Sequence, residues 1–244
     1  MIQYPQWLND HDYHFPNPNS ALTEPDGLLA VGGDLCTERI INAYLNGIFP
    51  WYSPGQPILW WSPDPRAVLF PEKLHISRSL QKLIHKKTFH CTINQAFTQV
   101  IVNCAQAPRK HQDGTWITNE MQQAYIKLHQ CGIAHSVECW QGEQLVGGLY
   151  GLALGKVFFG ESMFSHKSNS SKIAFVHLLD VLKKSNYALI DCQVTTDHLL
   201  SLGAEEIPRK QFLSLIAEHT RSYNSKLTHH KQNTLQPEAI HTSR

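Results

Sequence analysis

The sequence predicts an α+β protein with a small irregular N-terminal domain and a larger domain in which helices flank a mostly antiparallel sheet. Three observations support this fold class. Turn-forming residues crowd the first 65 positions, three apolar stretches of strand length follow one another between residues 134 and 164, and segments with helical spacing lie on both sides of them. The chain has 244 residues, 42% of them hydrophobic, which suffices for one large domain or two smaller ones.

Residues 1–65 are predicted to be the N-terminal domain. They contain the turn-rich stretches "FPNPN" and "EPDGLLAVGGDL" and one predicted helix, for which Thr37 is the expected N-cap and Gly47 the expected stop. The apolar stripe of this helix consists of Ile40, Ile41, Tyr44 and Leu45.

The stretch "FPWYSPGQPILWWSPDPR", residues 49–66, holds five of the thirteen prolines and three of the six tryptophans. Proline fixes φ and has no N–H to donate, so the stretch predicts neither an ordinary helix nor a central strand. Two interpretations remain open at this point. The stretch is either a stiff loop pinned over the core or a rigid aromatic wall against which a flat or apolar ligand lies.

Residues 66–221 are predicted to be the larger domain. Helical spacing predicts helices at residues 77–87, 119–130, 171–184 and 209–220. The segments "AHSVECW", "LVGGLYGLAL" and "KVFFGESMF" predict three consecutive strands joined by turns, and "YALIDCQV" predicts a buried strand. Residues 222–244 have almost no apolar content and are predicted to be a disordered tail.

Composition excludes several classes of protein. The net charge is +1, so no global charge favours nucleic acid or a membrane, and an electrostatic partner must be sought in local patches. The first residues show no basic cluster before an apolar run, and no apolar segment reaches about 20 residues, so neither an export signal nor a membrane span is predicted. Six cysteines without a Cys-x-x-Cys pair and fifteen histidines without His-Glu-x-x-His predict reduced thiols and no metal site.

Three polar residues on predicted strands are candidates for chemistry. Asp191 and Gln193 are two positions apart in "LIDCQV", so both side chains should project to the same face. Their apolar neighbours imply a dry environment, in which an unpaired carboxylate is costly. The pair either fixes the end of a strand or forms a catalytic pair in a cleft. Glu161, in "FFGESMFS", is a third candidate, although a lone glutamate on a strand is more often a surface group.

Two further features have both a structural and a functional interpretation. The predicted helix 77–87 carries Arg78, Lys82 and Lys86 on one face, which is either an ordinary solvated surface or a contact for a phosphate backbone. Trp116, in "DGTWIT", lies near irregular backbone, as Trp51 does. Such rings serve equally as core or as a platform on which bases stack.

Several segments together resemble the leucyl/phenylalanyl-tRNA–protein transferase family. They are "EPDGLLAVGGDL", "AYLNGIFPWYSPGQPILWWSPDPRAVLFPEKLHISRSL", "DGTWIT", "LVGGLYG", "FFGESMFS", "LIDCQV" and "HLLSLGAEEIPR". They occur in the order of the family and cover most of residues 20–215. The resemblance implies a GNAT-like fold for the larger domain and a cytoplasmic bacterial enzyme without metal or cofactor. We expect a monomer that does not bind membranes.

The resemblance also implies the reaction and its substrates. Leucine or phenylalanine, and less readily methionine, would move from aminoacyl-tRNA to the N-terminal arginine or lysine of a protein, which marks that protein for degradation. Asp191 would orient and polarise Gln193, and Gln193 would draw the proton from the attacking amine.

The remaining implied roles concern binding of the aminoacyl-tRNA. Trp51 and Trp116 would stack on the 3′ adenosine, while Glu161 and Ser165 would fix its polar groups or the ester end. The basic face formed by Arg78, Lys82 and Lys86 would hold the acceptor stem. The pocket for the amino-acid side chain would consist of Leu149, Phe158, Met163, Leu178 and Ile190.

Two alternatives from other functional classes compete with this interpretation. A GNAT acetyltransferase needs a glycine-containing pyrophosphate loop after the "GESMFS" strand, and "SHKSNSSK" has no glycine. A non-catalytic tRNA-binding protein would bind without transfer and would not need Asp191.

Overall fold

A computed structural model describes residues 4–9, 12–108, 115–221 and 223 of the chain. Apart from residue 223, the predicted tail at 222–244 lies outside the described residues. The predicted α+β class is confirmed, with a smaller N-terminal part and a larger C-terminal part built on a mostly antiparallel sheet. Within the described ranges, no helix combines the length and the apolar character that crossing a membrane requires.

The N-terminal part contains a small sheet that the sequence analysis did not anticipate. Its elements are β1 (Gln6–Leu8), β2 (Leu28–Gly32), α1 (Thr37–Leu45), β3 (Phe49–Pro50) and β4 (Leu59–Trp61). The strand order is β1-β2-β4-β3, so β4 is an interior strand. The expectation that the proline-rich stretch excludes a central strand is therefore wrong for β4. The physical reason is local: β4 itself has no proline, and Pro50 lies on the edge strand β3.

Helix α1 forms where it was predicted but begins differently. The N-cap is Cys36 and not Thr37, because the Cys36 carbonyl accepts the first helical hydrogen bond, from Ile40 N–H at 3.0 Å. The carboxylate of Asp34 accepts the Cys36 N–H at 2.9 Å and so fixes the preceding turn. Gly47, with φ +72°, follows the helix as predicted and supplies the left-handed conformation at its end.

The C-terminal part is organised around a seven-stranded sheet. Its strands are β5 (Arg66–Leu69), β6 (His90–Ile93), β7 (Ala134–Gln141), β8 (Gln144–Leu154), β9 (Val157–Ser165), β10 (Leu189–Gln193) and β11 (Glu205–Ile207). The order is β11-β5-β10-β9-β8-β7-β6, and every neighbouring pair is antiparallel except β9 and β10, which are parallel. The predicted meander of three strands is confirmed as β7, β8 and β9.

Six helices cover the two faces of this sheet. They are α2 (Arg78–His85), α3 (Phe97–Gln106), α4 (Asn119–Gln130), α5 (Ser170–Lys184), α6 (Asp197–Leu200) and α7 (Arg209–His219). Buried residues of α1, α3, α4 and α7 form one core cluster with alternate sheet residues such as Tyr150 and Leu152. Buried residues of α2 and α5 form a second cluster with Leu149 and Phe158. Alternation along the strands thus separates two apolar layers.

The sequence analysis assigned no element to residues 88–108, where the structure has β6 and α3. The apolar residues of α3 follow helical spacing, with Phe97, Val100, Ile101 and Cys104 buried. That signal was present in the sequence. The predicted domain boundary at residue 65 falls between β4 and β5, but one buried cluster includes both Trp60 and Val68. The division into two domains therefore stays a prediction.

Candidate active site

A cavity of about 440 Å³ lies between the two parts of the chain. Residues of β3 and the loop after it, β9, β10, α5 and α6 line it. The volume lies within the range that is typical of small-molecule sites. Two residues that line it, Glu161 and Asp191, are the only carboxylic acids on its wall in the described part of the chain.

The predicted amino-acid pocket forms the apolar end of this cavity. All five of its predicted residues line the cavity: Leu149, Phe158, Met163, Leu178 and Ile190. Four of them are almost fully buried, and Met163 is half-buried. Phe175 of α5 joins them and was not predicted. In the sequence, Phe175 lies on the apolar side of a predicted helix. A residue in that position can line a cavity or pack in the core, so the pattern did not identify Phe175 as a site residue.

Two tryptophans stand at another wall of the cavity. Trp51 and Trp116 both line it and both are half-buried. Trp51 is held from behind by Trp61, whose indole N–H donates to the Trp51 carbonyl at 2.7 Å and whose ring centroid lies 5.9 Å away. Trp60 is buried and donates to the Gly32 carbonyl at 2.9 Å. The aromatic stretch is therefore both anchored to the core and open to a ligand through Trp51.

The carboxyl of Glu161 is the centre of a chain of hydrogen bonds. Its Oε1 accepts from the Tyr44 hydroxyl at 2.5 Å and from Nε2 of Gln193 at 2.9 Å. The Tyr44 and Tyr125 hydroxyl oxygens are 2.5 Å apart. The pKa of Glu161 is raised to about 8, chiefly by burial and also by the nearby charge of Asp191, against hydrogen bonds from Tyr44, Tyr125 and Gln193 that lower it.

Asp191 is fully buried and forms an ion pair with Arg66 of β5. Arg66 Nε donates to Oδ1 at 2.8 Å and Nη2 to Oδ2 at 2.7 Å, the two-pronged geometry that suits arginine and carboxylate. The guanidinium lies between the rings of Phe49 and Phe212, at 4.8 and 4.5 Å from their centroids. The dry surrounding of Asp191 was predicted, but Arg66 was not, because only the order of the strands brings Arg66 beside Asp191.

The contact between Asp191 and Gln193 runs through the main chain. Oδ1 of Asp191 accepts the backbone N–H of Gln193 at 2.9 Å, whereas the side-chain amide of Gln193 turns to Glu161. Simple alternation along β10 was expected, but the register shifts between Asp191 and Gln193, and Gln193 has φ +65°. A left-handed conformation at a residue other than glycine costs about 1–3 kcal/mol and is found at functional sites.

Two groups of predicted site residues lie away from the cavity lining. Ser165 is exposed, and its hydroxyl accepts the N–H of Ser171 at 3.1 Å, so the structure gives it a capping role at the start of α5 instead of a place in the cavity. Arg78, Lys82 and Lys86 are exposed along α2, which packs on α5 through Leu80. None of these three is in a salt bridge within the described part of the chain.

Tyr44 and Tyr125 were not predicted as site residues. Tyr44 was assigned to the apolar stripe of its helix, and Tyr125 lies in the corresponding stripe of α4. Both are buried, and a buried tyrosine hydroxyl needs a hydrogen-bond partner, which is the only signal that could have identified them. Within the described ranges, no cluster of three or more His, Cys, Asp or Glu side chains could hold a metal ion.

Comparisons with known proteins give a consistent result. The profile of the family "Leucyl/phenylalanyl-tRNA protein transferase" matches residues 68–217, and that of the N-terminal domain of the same family matches residues 33–64. Curated relatives named leucyl/phenylalanyl-tRNA–protein transferase include those of Ectopseudomonas mendocina (strain ymp), 58% identical over 87% of this chain and 94% of the relative, and Azotobacter vinelandii (strain DJ), 58% identical over 84% and 90%. The solved structure of L-PGS from Bacillus licheniformis aligns with 69% of this chain and 54% of that one, at 13% identity and a TM-score of 0.39, a likeness too low to support a conclusion.

Proposed function

This chain belongs to the leucyl/phenylalanyl-tRNA–protein transferase family, and on that premise we propose that it moves leucine or phenylalanine, and less readily methionine, from aminoacyl-tRNA to the N-terminal arginine or lysine of proteins. The modified protein is thereby marked for degradation. The enzyme works in the cytoplasm, where its tRNA substrate is charged. It acts as a monomer.

The observation that carries this proposal is the composition of the cavity wall. An apolar end fits the side chain of leucine, phenylalanine or methionine, and the tryptophans Trp51 and Trp116 offer flat faces to the 3′ adenosine. Glu161 and Gln193 line the same cavity and are proposed to hold the ester that joins the amino acid to the adenosine. A hydrophobic pocket gains only about 1–3 kcal/mol per methylene, so the shape of the apolar end must help to reject branched amino acids.

The reaction requires little activation of the donor. An aminoacyl ester is already reactive, so no nucleotide-binding loop is needed. The attacking α-amine has a reference pKa of about 7.7–8.0 and must lose a proton before or as it attacks. Gln193, as a catalytic residue, accepts a hydrogen bond from the amine through its Oε1 and so orients the amine towards the carbonyl carbon. Asp191 fixes the backbone of Gln193 and thereby its position.

The decisive assay is transfer of labelled phenylalanine from Phe-tRNA to a peptide that begins with arginine. We expect incorporation into this peptide and none into the same peptide with an acetylated N-terminus, which has no free amine. A peptide that begins with an uncharged residue should accept poorly. Binding of Phe-tRNA without incorporation would favour a non-catalytic tRNA-binding protein, and protection of the protein by acetyl-CoA would favour an acetyltransferase.

The basic face of α2 is proposed to hold the tRNA backbone. Reversing two charges, Arg78→Glu with Lys82→Glu, should weaken binding of aminoacyl-tRNA and flatten its salt dependence, since each side chain that no longer neutralises a phosphate reduces the slope of log K against log salt by about 1. Binding measured between low and high salt checks this prediction. Lys127→Glu with Lys210→Glu is the matched control, because these exposed lysines belong to helices on the other face of the sheet. An unchanged slope in the α2 variant would identify that face as ordinary solvated surface.

A further inference from the structure

Hydrogen bonds link Glu161 to two buried tyrosines. The hydroxyl of Tyr44 donates to Oε1 of Glu161, and its oxygen lies 2.5 Å from the hydroxyl oxygen of Tyr125. Gln193 supplies a second donor to the same Oε1. The chain therefore runs from Tyr125 through Tyr44 to the carboxyl at the cavity wall.

These donors hold the carboxyl of Glu161 in place. Its Oε1 accepts hydrogen bonds from Tyr44 and Gln193. Glu161 lines the cavity, so proton exchange at its carboxyl occurs where the ester and the amine would meet.

Two other polar residues beside Glu161 on the wall, Asp191 and Gln193, are less suited to accept a proton. Asp191 uses Oδ1 for Arg66 and the backbone N–H of Gln193, and Oδ2 for Arg66, so both its oxygens are committed to an ion pair. The amide of Gln193 donates through Nε2 and retains only its carbonyl oxygen, which is a very weak base. The family resemblance implies that Gln193 takes the proton, whereas the geometry favours Glu161.

We propose that Glu161 is the general base of the transfer reaction, and that Tyr44 and Tyr125 are positioning residues that act through it. This inference rests on the proposed function. The acceptor enters as a free amine, after its ammonium form has released one proton to solvent. The amine nitrogen forms a bond to the ester carbonyl carbon, the carbonyl π electrons move to oxygen, and the nitrogen gives one proton to the carboxylate of Glu161.

Collapse of the tetrahedral intermediate completes the cycle. The carbonyl re-forms, the bond between the carbonyl carbon and the ribose oxygen breaks, and that oxygen takes the proton from the carboxyl of Glu161. The products are an amide and a free ribose hydroxyl, and Glu161 is again a carboxylate. Because the proton leaves the amine and arrives at the leaving oxygen, no further reactant is needed.

The protonation equilibrium of Glu161 fits this role. Its pKa, raised chiefly by burial to about 8, is close to the reference value of about 7.7–8.0 for the α-amine, and a base works best when its pKa lies near the operating pH. The groups that face it are Tyr44 from α1, Tyr125 from α4 and Asp191 from β10, the last neutralised by Arg66. Its ionised fraction rises through pH 8, so the turnover number should rise over the same range.

The test compares Glu161→Gln with the wild-type enzyme, using Phe-tRNA and a saturating peptide that begins with arginine. We expect kcat to fall about 10²- to 10⁴-fold, with KM for Phe-tRNA within a few-fold of the wild-type value. The wild-type kcat should rise with pH near pH 8, and this limb of the pH profile should be lost in the variant. Circular dichroism and thermal unfolding establish that the variant is folded.

Tyr44→Phe gives an independent readout. Its hydroxyl lowers the pKa of Glu161 by donating to the carboxylate, so its removal should move the limb of the kcat profile to higher pH and leave activity above the limb largely intact. Tyr52→Phe is the matched control. It also removes a hydroxyl from a buried tyrosine, but one that bonds Thr118 at 3.2 Å and does not line the cavity, so the limb should not move.

Three results would overturn the inference. They are a kcat within threefold of wild type in Glu161→Gln, an unmoved limb in Tyr44→Phe, and a Glu161→Gln effect confined to KM for the peptide, which would make the carboxyl a binding group for the acceptor. Absence of transfer by the wild-type enzyme would instead contradict the proposed function itself, so the two failures are distinguishable.

Discussion

Asp191→Ala is expected to lower the free energy of unfolding by about 3–5 kcal/mol, because it leaves the buried guanidinium of Arg66 without its counter-ion. The two side chains are 1% and 0% exposed, so water cannot replace the missing carboxylate. Urea denaturation at constant pH measures the change. Asp197→Ala is the matched control, since Asp197 is an exposed carboxylic acid on the next element of the chain, and its removal should cost less than about 0.5 kcal/mol.

The same variant should lose transfer activity for a separate reason. Asp191 accepts the backbone N–H of Gln193, and a displacement of about 1 Å in a catalytic group can cost about 10²-fold in rate. The double variant Arg66→Met with Asp191→Leu separates the two effects. Apolar replacement of a buried ion pair is often neutral, so stability should return towards the wild-type value while transfer stays low. Full transfer by the double variant would show that the ion pair serves the fold alone.

Trp116→Ala is expected to weaken binding of aminoacyl-tRNA by about 5- to 150-fold, since stacking of a base on an aromatic ring contributes about 1–3 kcal/mol. Trp116→Phe keeps a π face and should retain part of the affinity. Equilibrium binding of aminoacyl-tRNA, compared with deacylated tRNA, measures both variants. The loss should appear with each tRNA, because any terminal adenosine offers the same ring.

Trp7→Ala provides the control for this series. Trp7 is 71% exposed on the edge strand β1 and does not line the cavity, so its removal should leave affinity unchanged. Equal losses in Trp7→Ala and Trp116→Ala would point to a general effect on the protein surface. An unchanged affinity in Trp116→Ala would show that the adenosine does not stack on Trp116, which would then have a purely structural role.

Local sequence patterns predicted the secondary structure of the larger part well. The 3.6-residue period located α4 and α5, and the change to a period of two located β7, β8 and β9. The proline-rich stretch was harder, because β3 and β4 are shorter than any window over which a period can be recognised.

The candidate site was predicted in part. Motif resemblance selected the residues that line the cavity, but it placed Ser165 among them, although the strand carries that side chain to the start of α5. It also implied that Asp191 acts directly on the side chain of Gln193. The register shift at the end of β10 turns the Gln193 amide away from Asp191, and no local pattern in "LIDCQV" predicts such a shift.

The sequence by itself determined the family, the fold class and the apolar faces of the predicted helices, since each depends on residue types and spacings within short segments. Only the tertiary structure decided the partners at the site. Arg66 and Asp191 are 125 positions apart, and Tyr44 and Glu161 are 117 positions apart. The first pair meets because β5 lies beside β10, and the second because Tyr44 of α1 packs against the sheet face of Phe159. A residue's own neighbours in the chain indicate whether it lies on an apolar face, but its partner across a sheet depends on the order of strands, which is settled only when the whole sheet forms.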